Sequence, residues 1–464
     1  MRDYKTITAE MLHDQRDYAR RVRNLYDRPQ TYHIVTMGCQ MNERDSETAA
    51  GMLEEMGLSR EPVRERADLI LYNTCCVREN AENKALGNVI WLKELKREKP
   101  DLLICVGGCM TQEPGMAQTM RAKYPFIDLI YGTHNLYRMP EYLYRLLGGE
   151  RPVIEVEQKD GEVVEGLPQR RLPAPGAFVN IMYGCDNFCT YCIVPYVRGR
   201  ERSRSAGAIL EEVRRLLDEG VQEITLLGQN VNSYQGGGSA FSDLLRKVDA
   251  LGVPRIRFMT SHPKDLSEEL IEAYGTLSHL MPHLHLPVQS GSNEVLRRMN
   301  RHYTAEHYME LVGKLRSARP DIGITTDIIV GFPGETEAQF LETLELVKKV
   351  RYDSAYTFIY SPRTGTRAAS YPDDTPPSVK SERLQALIRT QQQITSEILN
   401  SMVGREETVL IEGKSARDDA WVGGKTGRAI MVNMPGPDET IGRMARVRIT
   451  NAGKNTLRGE IAGD

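Results

Sequence analysis

The 464-residue chain contains no apolar run near the roughly 18 to 20 residues that a membrane helix needs, so nothing in it is expected to span a bilayer. Its first thirty residues lack the apolar stretch of a secretory signal, and their acidic residues argue against an organelle transit peptide. Neither sign of charge prevails. Sixty Lys+Arg stand against 63 Asp+Glu, a net charge of −3, which excludes a globally basic nucleic-acid binder that draws its affinity from many phosphate contacts. A local basic groove stays open. Low-complexity sequence is lacking apart from GGG at 236–238. The hydrophobic content of 40% is enough for sizeable cores, and the length fits about three domains at roughly 150 residues each. A reducing, cytoplasmic setting is expected, so the eight cysteines are read first as ligands or catalytic groups and not as disulfides.

The pattern along the chain divides it into an α/β protein with a small all-β end. Residues 1–30 read as a charged helical or frayed arm. From 31 to 148, strands and helices alternate: YHIVTMGC, ADLILYNTC, DLLICVGGC and FIDLIYG are each followed by a helical stretch, which predicts an open parallel α/β domain. Residues 149–176, rich in Gly, Pro and charge, read as a linker with a hairpin around Lys159, Asp160 and Gly161. From 177 to 402 a second series of six strands (FVNIMYG, EITLLGQ, IRFMTS, LHLPVQ, ITTDIIVG, YTFIYSP) predicts a partial (β/α)6 barrel, with a helical connector from about Ser378 to Met402. Residues 403–464 carry short strands and Gly-rich turns, which fit a small β-barrel.

Two groups of three cysteines carry the chemistry. Cys185, Cys189 and Cys192 form a C-x3-C-x2-C loop, YGCDNFCTYCIVPY, immediately after the first strand of the second series. Three thiolates in eight residues can hold three corners of a [4Fe-4S] cube and leave the fourth iron open to a small molecule. Structural zinc would want a fourth ligand, usually from a second C-x2-C unit, and no further cysteine lies nearby. Cys39, Cys75 and Cys109 lie 36 and 34 residues apart, yet each ends one of three successive strands. In a parallel sheet those carboxyl ends face one crevice, and Gly38, Gly107 and Gly108 leave room for a bulky group. Three buried cysteines acting as small hydrophobes remain the competing account of this triplet. Cys105, in mid-strand, is expected to be a core residue, and Cys76, adjacent to Cys75, is expected to point elsewhere.

The cysteine loop with its Tyr191 resembles the radical S-adenosylmethionine (SAM) superfamily. Two three-cysteine sites followed by a small barrel look like its methylthiotransferase family, over nearly everything from Thr31 to Gly463. The last segment, LIEGKSARDDAWVGGKTGRAIMVNMPG to ITNAGKNTLRGE, resembles the RNA-binding TRAM module. The stretches TMGCQMNERDSE and YGCDNFCTYCIVPYVRGRERSR are similar to the subgroup acting on N6-isopentenyladenosine in tRNA. The subgroups acting on threonylcarbamoyladenosine or on a ribosomal-protein aspartate usually show GCKVN-like or GCPKN-like forms at Gly38 to Asn42.

The resemblance implies two [4Fe-4S] clusters and SAM as cofactors. The cluster on Cys185, Cys189 and Cys192 would bind SAM and cleave it to a 5'-deoxyadenosyl radical, which takes hydrogen from C2 of adenine. The auxiliary cluster on Cys39, Cys75 and Cys109 would hold the sulfur to be transferred. No side chain acts as acid, base or nucleophile. Tyr191 in the cysteine loop, and Gly228, Gln229, Asn230, Ser261, His285, Gln289 and Asp327, near strand ends, are candidate SAM contacts, although such residues also cap helices and fix loops. His279, His283 and His285 read better as pocket or core residues than as a metal site, and Met259 as packing.

The resemblance further implies tRNA as partner, through its anticodon stem-loop and the purine beside the anticodon, an electron donor such as a flavodoxin or ferredoxin, and a sulfur donor. Residues 168–204 carry six arginines and two acidic residues. Arg198, Arg200, Arg202 and Arg204 alternate and would share one side of an extended segment, suited to phosphates or to fixing the cluster loop. Lys425, Arg428, Arg443, Arg446, Arg448, Lys454 and Arg458 could grip an RNA stem. A non-catalytic iron-sulfur RNA-binding redox sensor would explain the cysteines and the barrel, but not two three-ligand sites.

Overall fold

The computed structural model describes residues 6–8, 10–76, 79–157, 161–415 and 418–462, without the side chains of 79–86 and 418–419. Lys159 and Asp160, where a hairpin is expected, lie outside the described residues. The chain forms two compact units. The first comprises Met1–Leu172, Met182–Phe188 and Cys192–Ser203; the second comprises Pro173–Ile181, Cys189–Tyr191 and Arg204–Asp464.

The first unit is built on a six-stranded, all-parallel sheet in the order Leu58–Arg60, Gln30–Thr36, Leu69–Thr74, Leu103–Gly108, Leu129–Tyr131, Val153–Glu155. The two central strands are buried at every position, as a sheet covered on both faces requires. Alternation along each strand sorts the core into two layers. Leu69, Leu71, Leu103, Cys105 and Leu129 pack on one face with Leu53 and Met56. Ile70, Tyr72, Ile104, Val106 and Ile130 pack on the other with Val89, Leu92 and Leu95 of helix Glu79–Glu98.

The N-terminal arm takes the helical one of its two expected forms, His13–Leu25, and it is packed, with Ala19 and Val22 buried in the first layer and Tyr18 against Tyr144 at a ring distance of 5.4 Å. The stretch read as a linker supplies the edge strand Val153–Glu155 and a short strand, Val163–Val164, parallel to Thr6–Ile7.

In the second unit, strands Gly176–Asn180, Glu223–Leu227 and Arg255–Phe258 pair in parallel, as do His283–His285, Gly323–Val330 and Ser354–Ile359. The two triplets are joined through a parallel bridge between Ile256 and Leu280. The six strands are those expected for a partial barrel, and Ser354–Ile359 forms its half-exposed edge. The following helices start on side-chain caps: Ser205 accepts from the Ala208 amide, Ser267 from Leu270, Thr304 from His307, and Thr336 forms a capping box with Gln339. Each cap is worth about 1 kcal/mol. Helix Pro377–Ser401 then leads to a closed five-stranded barrel, Glu406–Ser415 to Leu457–Ile461.

This terminal barrel is fastened to the strands before it by buried arginines. Arg255 donates to the carbonyls of Lys425 (2.8 Å) and Thr408 (2.7 Å), and Arg257 to those of Thr426 (2.7 Å) and Gly427 (2.9 Å). Glu223, also buried, accepts from Arg257 at 2.8 Å. Arg257→Ala would leave that carboxylate and two carbonyls without their partner. Calorimetry should show a loss of about 3–5 kcal/mol, against less than about 0.5 kcal/mol for the exposed Arg448→Ala; equal small losses would contradict the clamp.

Candidate functional site

Cys39, Cys75 and Cys109 stand immediately beyond the carboxyl ends of three adjacent strands of the first unit. Cys39 is the residue that opens helix Gln40–Glu55. The loops come into close contact because two residues between strand and cysteine carry no side chain. Gly38 has φ +109° and a Cβ there would lie 2.7 Å from the Cys75 sulfur; Gly108 has φ +103° and a Cβ would lie 2.3 Å from the Thr74 carbonyl. The backbone is laced across the same gap: the Cys109 amide donates to Thr74 O (2.9 Å) and the Met37 amide to Asn73 O (2.9 Å). Cys75 and Cys109 are buried and Cys39 is exposed.

Asn42 is the polar centre of this site. Its side-chain amide donates to the carbonyls of Met37 (2.7 Å) and Thr74 (2.9 Å), while its oxygen accepts from Arg198 (2.7 Å). Arg198 also donates to the Cys109 sulfur (3.1 Å) and pairs with Asp45 (2.7 Å). The Cys109 thiol is held below its ordinary value by a hydrogen bond from Cys76 and by the Arg198 charge, while Cys76 is pushed up. Cys76 therefore does not point elsewhere as expected; it faces the Cys109 sulfur. Cys105 is buried in the core, as expected, and burial raises its pKa.

Among the described residues no group of three or more His, Cys, Asp and Glu side chains is set to hold a metal ion; the three cysteines share the carboxyl edge of the sheet, placed there by adjacent parallel strands. Three soft donors with glycines between them fit an iron-sulfur cube better than any hard cation.

The second cysteine loop is pinned at its base where Met182–Tyr183 pairs antiparallel with Arg202–Ser203. Gly184, at φ +74°, has its Cβ position 2.1 Å from the Arg200 carbonyl, and the Cys185 amide donates to Gly199 O (3.1 Å). Arg200 pairs with Asp186 (2.6 Å) and lies over the Phe188 ring at 4.6 Å. In the second unit, Arg301 donates to the Cys189 sulfur (3.6 Å) and to Pro287 O (2.7 Å). Thr190 donates to Arg298 O (2.9 Å), and Tyr191 packs against the cluster of Val295, Met299 and Phe332.

The arginine series is not a phosphate-facing row. Arg198, Arg202 and Arg204 are buried. Arg202 donates to the carbonyls of Arg200 (2.8 Å) and Arg198 (3.2 Å), and Arg204 to Asn180 O (2.7 Å) and Glu212 (2.7 Å). A short helix, Val194–Val197, and a turn precede the two-residue strand, so the segment is not extended and its alternation does not share a side. These arginines fix the loop.

The ends of the first three barrel strands hold buried polar atoms with no protein partner: Asn180 Oδ1, Gln229 Oε1, Asn230 Oδ1, Ser261 Oγ and His262 Nε2. Gln229, Asn230 and Ser261 were expected there, with Gly228 beside them and buried. Asn180 and His262 were not, although an Asn ending an apolar strand and a His after Ser261 were visible signals. Burial keeps His262 well below its ordinary pKa, hence neutral. Unpaired buried polar atoms cost free energy, and a cluster of them at adjacent strand ends, with the neutral His262 offering its Nε2–H since Nδ1 accepts from the Lys264 amide, fits a polar ligand such as SAM.

The next two strands bring His285, Gln289 and Asp327 together, with Asp327 in the middle of Gly323–Val330 and not near its end as expected. The His285 ring lies 3.0 Å from Thr325 Oγ1 and 3.5 Å from Asp327, and the Gln289 amide donates to Asp327 O (2.9 Å). His283 shares the same threonine hydroxyl (3.1 Å) and His279 pairs with Asp249, which leaves the three histidines engaged as pocket and core residues.

On the terminal barrel, Arg428 is turned inward onto Asp353 (2.6 Å) and Lys425 onto Glu412 (3.0 Å), so the expectation that Arg428 faces RNA is corrected. Arg446 and Arg448 project outward from Met444–Ala452 with Glu406 beside both. Arg443 and Lys454 are exposed, and exposed Arg458 lies over Trp421 at 5.8 Å.

Because the Ser261 hydroxyl has no partner to lose, Ser261→Ala should leave the melting temperature of the ligand-free protein unchanged or slightly raised in a thermal scan. A drop equivalent to about 2 kcal/mol, the cost of orphaning a buried partner, would contradict this.

Comparison with known proteins places the whole chain in a family. The radical SAM superfamily matches residues 179–347, the uncharacterized protein family UPF0004 residues 31–132, and the TRAM domain residues 400–462. The chain is 51% identical to the tRNA-2-methylthio-N(6)-dimethylallyladenosine synthase of Thermoanaerobacter sp. (strain X514), over 95% of this chain and 93% of that one. It is 51% identical to that of Acetivibrio thermocellus, over 93% and 90%, and 50% identical to that of Carboxydothermus hydrogenoformans, over 90% and 96%. Among solved structures, the radical SAM methyltransferase TsrM of Kitasatospora setae is similar in fold, with a TM-score of 0.55 at 14% identity over 74% of each chain. With half of its residues shared over nearly its whole length, the chain belongs to the family of tRNA-2-methylthio-N(6)-dimethylallyladenosine synthases, radical SAM methylthiotransferases.

Proposed function

We propose that this chain converts N6-isopentenyladenosine (dimethylallyladenosine) to its 2-methylthio derivative in tRNA, at the anticodon-loop purine beside the anticodon. The observation that carries the reading is the pair of three-cysteine sites, each beside the carboxyl ends of parallel strands. When bound, the two [4Fe-4S] groups and SAM supply a carbon-centred radical at one site and a holding place for the transferred sulfur at the other. C2 of adenine is inert to polar nucleophiles, so no side chain need act as acid, base or nucleophile.

The chain's own residues bind and orient. Cys185, Cys189 and Cys192 hold one cluster, and Cys39, Cys75 and Cys109 the other. Asn180, Gln229, Asn230, Ser261 and His262 offer their unpartnered polar atoms to SAM, with Gly228 giving it room and Tyr191 closing the loop. His285, Gln289 and Asp327 shape the site along the next two strands. Arg443, Arg446, Arg448, Lys454 and Arg458 meet the tRNA backbone, and the target base is splayed from its loop as sequence-specific RNA recognition demands. A flavodoxin or ferredoxin delivers the electron and a separate donor renews the sulfur. Among the described residues no helix is long and apolar enough to cross a membrane, in keeping with work on tRNA in the cytoplasm.

The test is anaerobic reconstitution, with about eight irons per chain expected for two cubes, followed by reaction with SAM, a reductant and isopentenylated tRNA. 5'-Deoxyadenosine and a C2 methylthio adduct are expected. Cys185→Ala should abolish SAM cleavage, whereas Cys75→Ala should keep cleavage and lose methylthiolation. Equal loss in both variants, or reaction only with threonylcarbamoyl tRNA or a ribosomal-protein peptide, would overturn the assignment.

A further inference from the structure

Buried arginines are costly unless every charge is answered, and Arg198 is answered in an unusual way. Its three guanidinium nitrogens take three different acceptors: Nε the Cys109 sulfur (3.1 Å), Nη1 the Asp45 carboxylate (2.7 Å) and Nη2 the Asn42 oxygen (2.7 Å). The side chain is only 6% exposed. A guanidinium serving merely as an ion pair would turn its fork on Asp45, since paired parallel N–H groups match a carboxylate. Here the carboxylate receives one nitrogen, and Asn42, itself fixed by two backbone carbonyls, steers another so that Nε aims at sulfur. Asp45 lies two residues along from Glu43 in the same first turns of helix Gln40–Glu55 that Cys39 opens.

We propose that Arg198 is a positioning residue of the auxiliary site: its charge and its Nε–H bond to the Cys109 sulfur hold the bound cluster in place and set its reduction potential. The proposal rests on the reading of Cys109 as a cluster ligand. A cube on three thiolates brings negative charge into a buried crevice. A cation hydrogen-bonded to a ligand sulfur lowers that cost and favours the reduced, more negative state. Arg198 is also only six residues beyond Cys192, and its amide donates to Val194 O (2.8 Å) at the end of the short helix. The stretch that leaves the SAM-cluster loop is therefore tied directly to a ligand of the auxiliary cluster. Cys189 has a counterpart in Arg301, which reaches its sulfur at 3.6 Å.

The test is an EPR-monitored redox titration of the full chain carrying Cys185→Ala, so that the auxiliary cluster alone titrates, with iron release to a chelator followed in parallel. Arg198→Gln should move the midpoint potential downward and speed iron release about tenfold. Asp45→Asn, which removes a negative charge from the same cation, should move the potential upward. Arg198→Lys, keeping charge but not the fork, should hold the potential nearer the parent than the Gln variant does. Arg301→Gln should leave this potential in place. Opposite signs for the two neutralising changes are beyond a merely structural role, and Asp45→Asn keeps the test open if Arg198→Gln fails to load. Shifts of the same sign, or none, in a parent that carries its cluster would overturn the proposal. A parent without an auxiliary cluster would instead overturn the assignment of Cys39, Cys75 and Cys109.

Discussion

The structure depends on the direction shared by its strands. In a parallel sheet every strand delivers its next residues to the same edge, so whatever follows the strand is gathered there without further design. The chain uses this constraint in both units. Three successive strands of the first sheet end three, one and one residues before a cysteine. Three successive barrel strands end at or just before Asn180, Gln229 and Ser261, whose polar atoms are left without protein partners. Residues scattered over more than seventy positions thus share a crevice, and the glycines at 38 and 108 decide how closely the loops can approach.

Charge follows the same logic. The sequence is nearly neutral, but the cations of the central segment are consumed inside the protein. Arg204 meets Glu212, Arg202 meets the backbone of its own loop, and Arg198 and Arg301 each reach a cysteine sulfur. Arg255, Arg257 and Arg428 are likewise engaged in carrying the terminal barrel. What remains outward is a smaller set on the strands Met444–Ala452 and Leu457–Ile461, where Arg446, Arg448 and Arg458 are exposed.

Much of this was legible in the sequence. The two long central strands announce themselves because both faces are buried and each opens on an unbroken apolar run. The loop at Cys185 is legible because its three cysteines fall within eight residues, and the closed terminal barrel because its strands alternate. The edge strands Leu58–Arg60 and Val153–Glu155 escaped because three residues give no period to read. The alternating arginines misled because alternation places side chains on one side only in an extended chain, and here a turn at Arg198 and a bend at Arg200 break the extension. Cys76 escaped because which way a residue after a strand points depends on the loop, not the pleat. The unpartnered atoms of Asn180 and His262 could not be read at all, since a missing partner is a property of packing.

The account's central claim is that hydrogen is removed from C2 of the target adenine by a radical drawn from SAM. It is tested most directly with an isopentenylated anticodon stem-loop deuterated at C2, with mass analysis of the 5'-deoxyadenosine formed during methylthiolation. The account predicts deuterium in that product. Methylthio adduct formed together with deuterium-free 5'-deoxyadenosine would contradict it.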